Sequence, residues 1–156
     1  MRRSISIRTG GRRWLTAGIM AASMALFLLP TAPARAASTP EAQMRRLINQ
    51  ERTERGKGAL ATNERMAGIA ERHSRDMAES GTIYHNGHLG SDLRYAHASG
   101  WGENVGMGGS VSRLHGLFMD SSPHRKNILN GTFDRIGVGV VKRDGTVYVT
   151  VVFVAN

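Results

Sequence analysis

The sequence predicts a domain of the α+β class, and two observations carry that expectation. Apolar residues recur at helical spacing in several segments between residues 40 and 129. Two valine-rich runs then close the chain, joined by Asp144-Gly145, a dipeptide suited to a tight hairpin. A third observation sets the size. The first 36 of the 156 residues read as a removable leader, so 120 remain, from Ala37 to Asn156, a usual length for one domain with its own core.

The leader is basic at its start, with Arg2, Arg3, Arg8, Arg12 and Arg13 and no acid among them. An uncharged apolar stretch runs from Trp14 to Leu29, and Ala34 and Ala36 supply the small-x-small pattern that a signal peptidase needs. The apolar run falls short of the roughly 20 residues of a membrane span, so we expect a signal peptide over 1–36, cleaved after Ala36. Arg12-Arg13-Trp14-Leu15 fits a twin-arginine export motif, although paired arginines are also common in ordinary leaders. After cleavage no second apolar run remains, so no transmembrane segment is expected and the product should be secreted and extracellular. The whole chain is formally +9, but six arginines leave with the leader and no acid does. The remaining 15 basic and 12 acidic residues give +3, which argues against a nucleic-acid partner. Cysteine is absent, so disulfides and a lipid-modified N-terminal cysteine are excluded.

Ser38-Thr39-Pro40-Glu41 reads as a helix start, with a hydroxyl cap, proline in the first turn and an acid at the positive end of the dipole. Met44, Leu47 and Ile48 fall on one face, and Gly56 and Gly58 stop the helix. A second helix begins near Thr62, with Met66, Ile69, Ala70, His73 and Met77 as its buried stripe and Gly81 as a left-handed cap. From Thr82 to Ser110 periodicity disappears among glycines, serines and three histidines. This segment reads as irregular chain with one short strand around Asn104 to Met107, packed rather than disordered because Tyr95 and Trp101 lie in it. A third helix turns Val111, Leu114, Leu117 and Phe118 inward. Ser122-Pro123 starts a short turn of helix reaching Leu129, and Gly131 ends it. The strands of the hairpin are Ile136 to Val141 and Val147 to Val154.

Several chemistries fail on their motifs. Gly100-x-Gly102 has no glycine at 105, no serine sits in a G-x-S-x-G elbow, and His-Glu-x-x-His is absent. What stands out is imidazole: His85, His88 and His97 in the central segment, His73 before it, and His115 and His124 after it, with Glu103-Asn104 set among glycines. Two neutral imidazoles and a carboxylate from separate segments could hold a zinc-like cation or form an acid–base set. The plain alternatives stand beside these. His73 lies on an apolar face and reads as a hydrogen-bonded core residue, while His88, His97 and His115 read as solvated. His124 lies just inside a helix N-terminus, where the dipole favours the neutral ring, or it simply packs at the surface. Glu103 could merely accept from loop amides.

The motifs resemble those of the CAP superfamily, the SCP-like and pathogenesis-related domains, in their bacterial form. The residues that carry this are Gly102-Glu103-Asn104 after an aromatic, the run from Phe118 through Ser121-Ser122-Pro123-His124-Arg125-Lys126-Asn127 to Leu129, and Ile136-Gly137-Val138-Gly139-Val140. Ala70-x-x-His73-Ser74-x-x-Met77, Tyr84-His85 and Asn49-x-x-Arg52 also fit. The resemblance implies a three-layer α-β-α sandwich around a small, mainly antiparallel central sheet. It further implies a cleft lined by two histidines and two acids that binds a divalent metal in some members. Carried over, these are His85, His124 and Glu103, while Ser121 stands where the second acid would be, so a weaker site or one completed by water is expected. Asn104 and Ser121 join the cleft.

CAP domains are associated with extracellular binding of lipids, sterols, polysaccharides or proteins, and occasionally with proteolysis. The expectation is an exported binding module whose His85, Glu103 and His124 cleft engages an extracellular or cell-envelope ligand (lipid, polysaccharide or protein), with Zn²⁺ or another divalent cation as a candidate cofactor. The alternative is a metal-assisted hydrolase with Glu103 as general base.

Overall fold

The structure, a computed structural model, describes residues 38–156; the expected leader, residues 1–36, lies outside the described residues. Helix α1, Pro40–Glu54, starts where the Thr39 hydroxyl accepts the Ala42 N–H at 3.2 Å. Its buried stripe is Met44, Ile48 and Arg52, four residues apart. Strand β1, Ala61–Thr62, follows. Helix α2, Glu64–Ser80, begins near Thr62 as expected, capped by the Asn63 side chain, and Gly81 closes it at φ +69°, in the left-handed region. Its expected stripe is buried, and Ser74 and Ala78 join it.

The central segment holds more structure than its composition suggests. Helix α3, Leu89–Asp92, is followed by a single 3₁₀ turn and then by strand β2, Gly100–Gly108. The expected Asn104–Met107 strand is thus less than half of β2. The alternate glycines of this strand disguise it. A Cβ on Gly106 would stand 3.0 Å from the Phe118 ring, and one on Gly102 would stand 3.0 Å from Asn127. These glycines record close packing of helices on the strand, not a loop.

Helices α4, Val111–Asp120, and α5, Ser122–Ile128, come next. Two expectations are corrected here. Leu117 does not turn inward and is 49% exposed, whereas His115 is buried at 7%. Strands β3, Arg135–Arg143, and β4, Thr146–Ala155, form the hairpin. Asp144 and Gly145 take φ of 49° and 77°, the positive pair that a type I′ turn needs.

The sheet order is β1-β3-β4-β2, with β1 parallel to β3 and the other pairs antiparallel. Successive β4 side chains serve opposite faces. Val149, Val151 and Phe153 pack into the cluster with α1, α4 and α5, while Val152 and Val154 pack with α2 and α3. Helices therefore cover both faces, which is the α-β-α sandwich. Burial on both sides explains why β4 is almost continuously apolar.

Candidate functional site

The site is built on consecutive residues of β2, which point to opposite faces. Glu103 turns to the α2 side and is 7% exposed. Here the chain leaving α2 meets it. His73 on α2 bonds the Tyr84 carbonyl at 2.7 Å and packs edge-on to the Tyr84 ring, which fixes the start of the loop. The next residues then reach the carboxylate. His85 Nδ1 donates to Glu103 Oε1 at 2.7 Å, and the Asn86 main-chain N–H donates to the same oxygen at 3.1 Å. A buried carboxylate is costly unless it is paired in this way. Because a carboxylate only accepts, this bond places the His85 proton on Nδ1 and leaves Nε2 to the outside. The His85 side chain is 66% exposed against 4% for that of Glu103.

Asn104 turns to the other face and is fully buried. Its Nδ2 donates to the His124 carbonyl at 3.0 Å, and its Oδ1 accepts from Asn127 Nδ2 at 2.9 Å. Asn127 Nδ2 also reaches the Glu103 carbonyl at 3.1 Å. These bonds clamp α5 onto β2 and bring His124 to the site. The His124 ring is half-buried and packs edge-on to Phe118 at 5.0 Å. Burial lowers its pKa, and the neighbouring His85 lowers it further, so the ring is held toward its neutral form. Ser121 is half-buried and joins His124 in lining an apolar groove of about 220 Å³ with Val105, Met107, Leu117 and Phe118.

The fold therefore joins His85 to Glu103 directly, brings His124 within electrostatic reach of His85, and makes Asn104 a tie rather than a contact surface; the groove that His124 lines includes neither His85 nor Glu103. Of the plain alternatives, the one for His73 holds, since it is a hydrogen-bonded core residue. His88 and His97 are exposed, as read from the sequence. Asn86 escaped sequence reasoning. It acts through its main-chain N–H, which leaves no compositional mark. Among the described residues, no three histidine, aspartate or glutamate side chains are gathered so as to hold a metal ion. Glu103 is engaged with His85 and Asn86, so a three-ligand zinc centre does not fit these side chains as they stand. A larger hollow of about 350 Å³, lined by Glu41, Arg45, Glu64 and Glu71 among others, includes none of the site residues.

Residues 45–156 match the family model described as CAP, the cysteine-rich secretory protein family. The chain belongs to the CAP family. This CAP domain is similar to a cysteine-rich secretory protein of Staphylococcus aureus, at 25% identity and a TM-score of 0.65, over 80% of this chain and 40% of that one. It is also similar to an extracellular protein containing an SCP domain from Bacillus anthracis, at 30% identity and a TM-score of 0.64, over 73% and 39% of the two chains. An outer surface protein of Borrelia burgdorferi shares the fold, with a TM-score of 0.67 at 18% identity over 73% and 90%. The CAP domain thus spans about two fifths of the two bacterial proteins first named. Among curated proteins no match was found. Despite the family's description, this chain has no cysteine. No helix among the described residues is long and apolar enough to cross a membrane.

Proposed function

We propose that this CAP domain is an exported binding module whose cleft around His85, Glu103 and His124 takes an extracellular or cell-envelope ligand. The observation that carries the reading is the buried Glu103 carboxylate bonded to the exposed His85 ring. That bond contributes little packing. It orients an imidazole at the surface with Nε2 left unengaged by Glu103 and within electrostatic reach of His124, which is how a site is set before its ligand arrives. The small-residue cleavage pattern and basic start of the leader support export, as do relatives described as secretory or extracellular.

A second reading adds a divalent cation on the two imidazoles. It is favoured by the position of Glu103 behind Nδ1 of His85, the arrangement that commonly orients a metal-binding histidine. Glu103 would then be the orienting partner and not a ligand. A hydrolase using Glu103 as base is less well supported, because the carboxylate is buried, with its side chain 4% exposed, and is already engaged by His85 and Asn86.

The test is calorimetric titration of the purified protein with zinc at about pH 7.5, where free imidazole is neutral. It is paired with sedimentation onto cell-envelope polysaccharide and lipid vesicles. Each measurement is repeated for His85→Ala and His124→Ala. Binding that is lost in both variants while their unfolding midpoints stay unchanged supports the cleft. Binding that both variants retain contradicts it.

A further inference from the structure

Among the described residues, strand β2 is an edge of the sheet, bonded to β4 alone. The hydrogen bonds at its ends reveal which of its main-chain groups face outward. The Ser99 N–H donates to the Ala155 carbonyl, so odd residues of β4 turn toward β2, and the Asp134 N–H donates to the Val154 carbonyl, so even residues turn toward β3. In the observed register the odd residues of β4 pair with even residues of β2, as in Val151 with Asn104 and Val149 with Gly106. The odd residues of β2 therefore turn their N–H and C=O groups away from the sheet. The Glu103 carbonyl agrees with this, being taken by Asn127 Nδ2 from outside.

α5 thus covers the edge at Glu103, but its cover stops there. The outward groups of Val105 and Met107 receive no side-chain or loop hydrogen bond among the described residues. Both residues line the apolar groove; Met107 is 45% exposed, while Val105 packs its side chain with Met77 and Tyr148 and is 6% exposed. The groove straddles the strand. Gly106 with Leu114 and Phe118 lines its α4 side, and Ile83 and Met107 line the α2 side.

We propose that this open stretch of β2 docks an extended polypeptide segment, which adds to the sheet beyond Val105 and Met107. The proposal rests on the binding-module reading and names the ligand class. Two outward N–H and C=O pairs at strand spacing are matched by a peptide main chain and by nothing in an acyl chain or a sterol. The volume agrees, since about 220 Å³ is below the roughly 300–1,000 Å³ of pockets that engulf a small molecule. It suits one or two side chains of a ligand lying across the surface. Added side chains would alternate between the α4 side and the Ile83 and Met107 side, and both sides are apolar. The recognised segment is therefore a short run of consecutive apolar residues. Toward Glu103 the edge is closed by α5, so the added segment ends beside His124, which lines the same groove.

The experiment selects short random peptides on the purified protein by phage display, then measures a synthetic copy of the tightest binder by calorimetry and amide hydrogen exchange. N-methylation of that peptide should lower affinity about tenfold at every second residue and little between them. Exchange at Val105 and Met107 should slow on binding, while Asn104 and Gly106, already paired with β4, should change little. Met107→Pro should abolish binding with the amide spectrum of the sheet preserved, because the N–H it removes is not paired with β4. If that variant misfolds, the N-methyl series on the unmodified protein still decides. Failure to select any peptide, N-methyl effects without alternation, or oleate binding that peptides do not compete with would each overturn the proposal. So would pairing of two copies through β2. Any of these leaves the cleft reading standing if His85→Ala and His124→Ala still abolish zinc or envelope binding. Loss of the cleft reading alone shows as unaltered zinc and envelope binding in those two variants.

Discussion

His115 shows how one side chain can depart from a fair reading of its type. A polar ring on a helix reads as solvated, yet His115 is 7% exposed, and its Nε2 has no hydrogen-bond partner among the described residues. Burial lowers its pKa, and Glu51 on α1 opposes that only partly. The folded protein thus binds this proton less readily than the unfolded chain does. The stability contributed by the neutral ring is complete above the ordinary imidazole value of about 6.5 and is lost as pH falls through the lowered folded value. His115→Leu should flatten that part of the stability curve. It should also stay within about 1 kcal/mol of the unmodified protein near pH 7.5, because it removes an unsatisfied buried nitrogen. Urea unfolding of both proteins between about pH 7.5 and 5 checks this, and since His124 titrates in the same direction, the difference between the curves is the readout. Arg52 was legible only in part. Its spacing from Met44 and Ile48 places it on the buried stripe, but its partners are the carbonyls of Gly58, Ile128, Asn130 and Phe133. Three of those lie more than seventy residues away, so no local pattern announces them.

Elements were legible where their signal is local. The caps of α1, the stripe of α2 and the Asp144-Gly145 hairpin rest on neighbours a few residues apart, and each formed as expected. Strand β2 was only partly legible, because its glycines answer to α4 and α5, which the sequence cannot place. The same physics operates at β3 against α2. A Cβ on Gly139 would stand 2.2 Å from the main-chain carbon of Ala70 and the main-chain nitrogen of Glu71. Beside it the Ser74 hydroxyl donates to the Gly139 carbonyl at 3.0 Å, holding helix and strand together. A helix main chain cannot give way as a flexible side chain does. Gly139→Ala should therefore lift α2 from the sheet and cost about 3 kcal/mol or more, read as a lowered urea midpoint. A stability unchanged by this substitution would refute the close helix–strand contact.

At the scale of the whole molecule, the sandwich needs no disulfide because both faces of the sheet are covered. Its three clusters of buried residues draw on α1, α2, α4 and all of the longer strands. The same layering makes the site, since it brings the loop after α2, strand β2 and the start of α5 to one place. The residue types of that site were legible from sequence motifs, but the contacts that hold them were not: these are the Asn104 and Asn127 clamp and the Asn86 main chain. The central proposal is that His85 and His124 serve one cleft. Titrating the His124 ring by NMR in the unmodified protein and in His85→Ala tests it most directly. We predict a His124 midpoint below the ordinary histidine value that rises when His85 is removed, because one of the two influences holding it down is gone. A midpoint that is ordinary, or that ignores the loss of His85, would contradict the account.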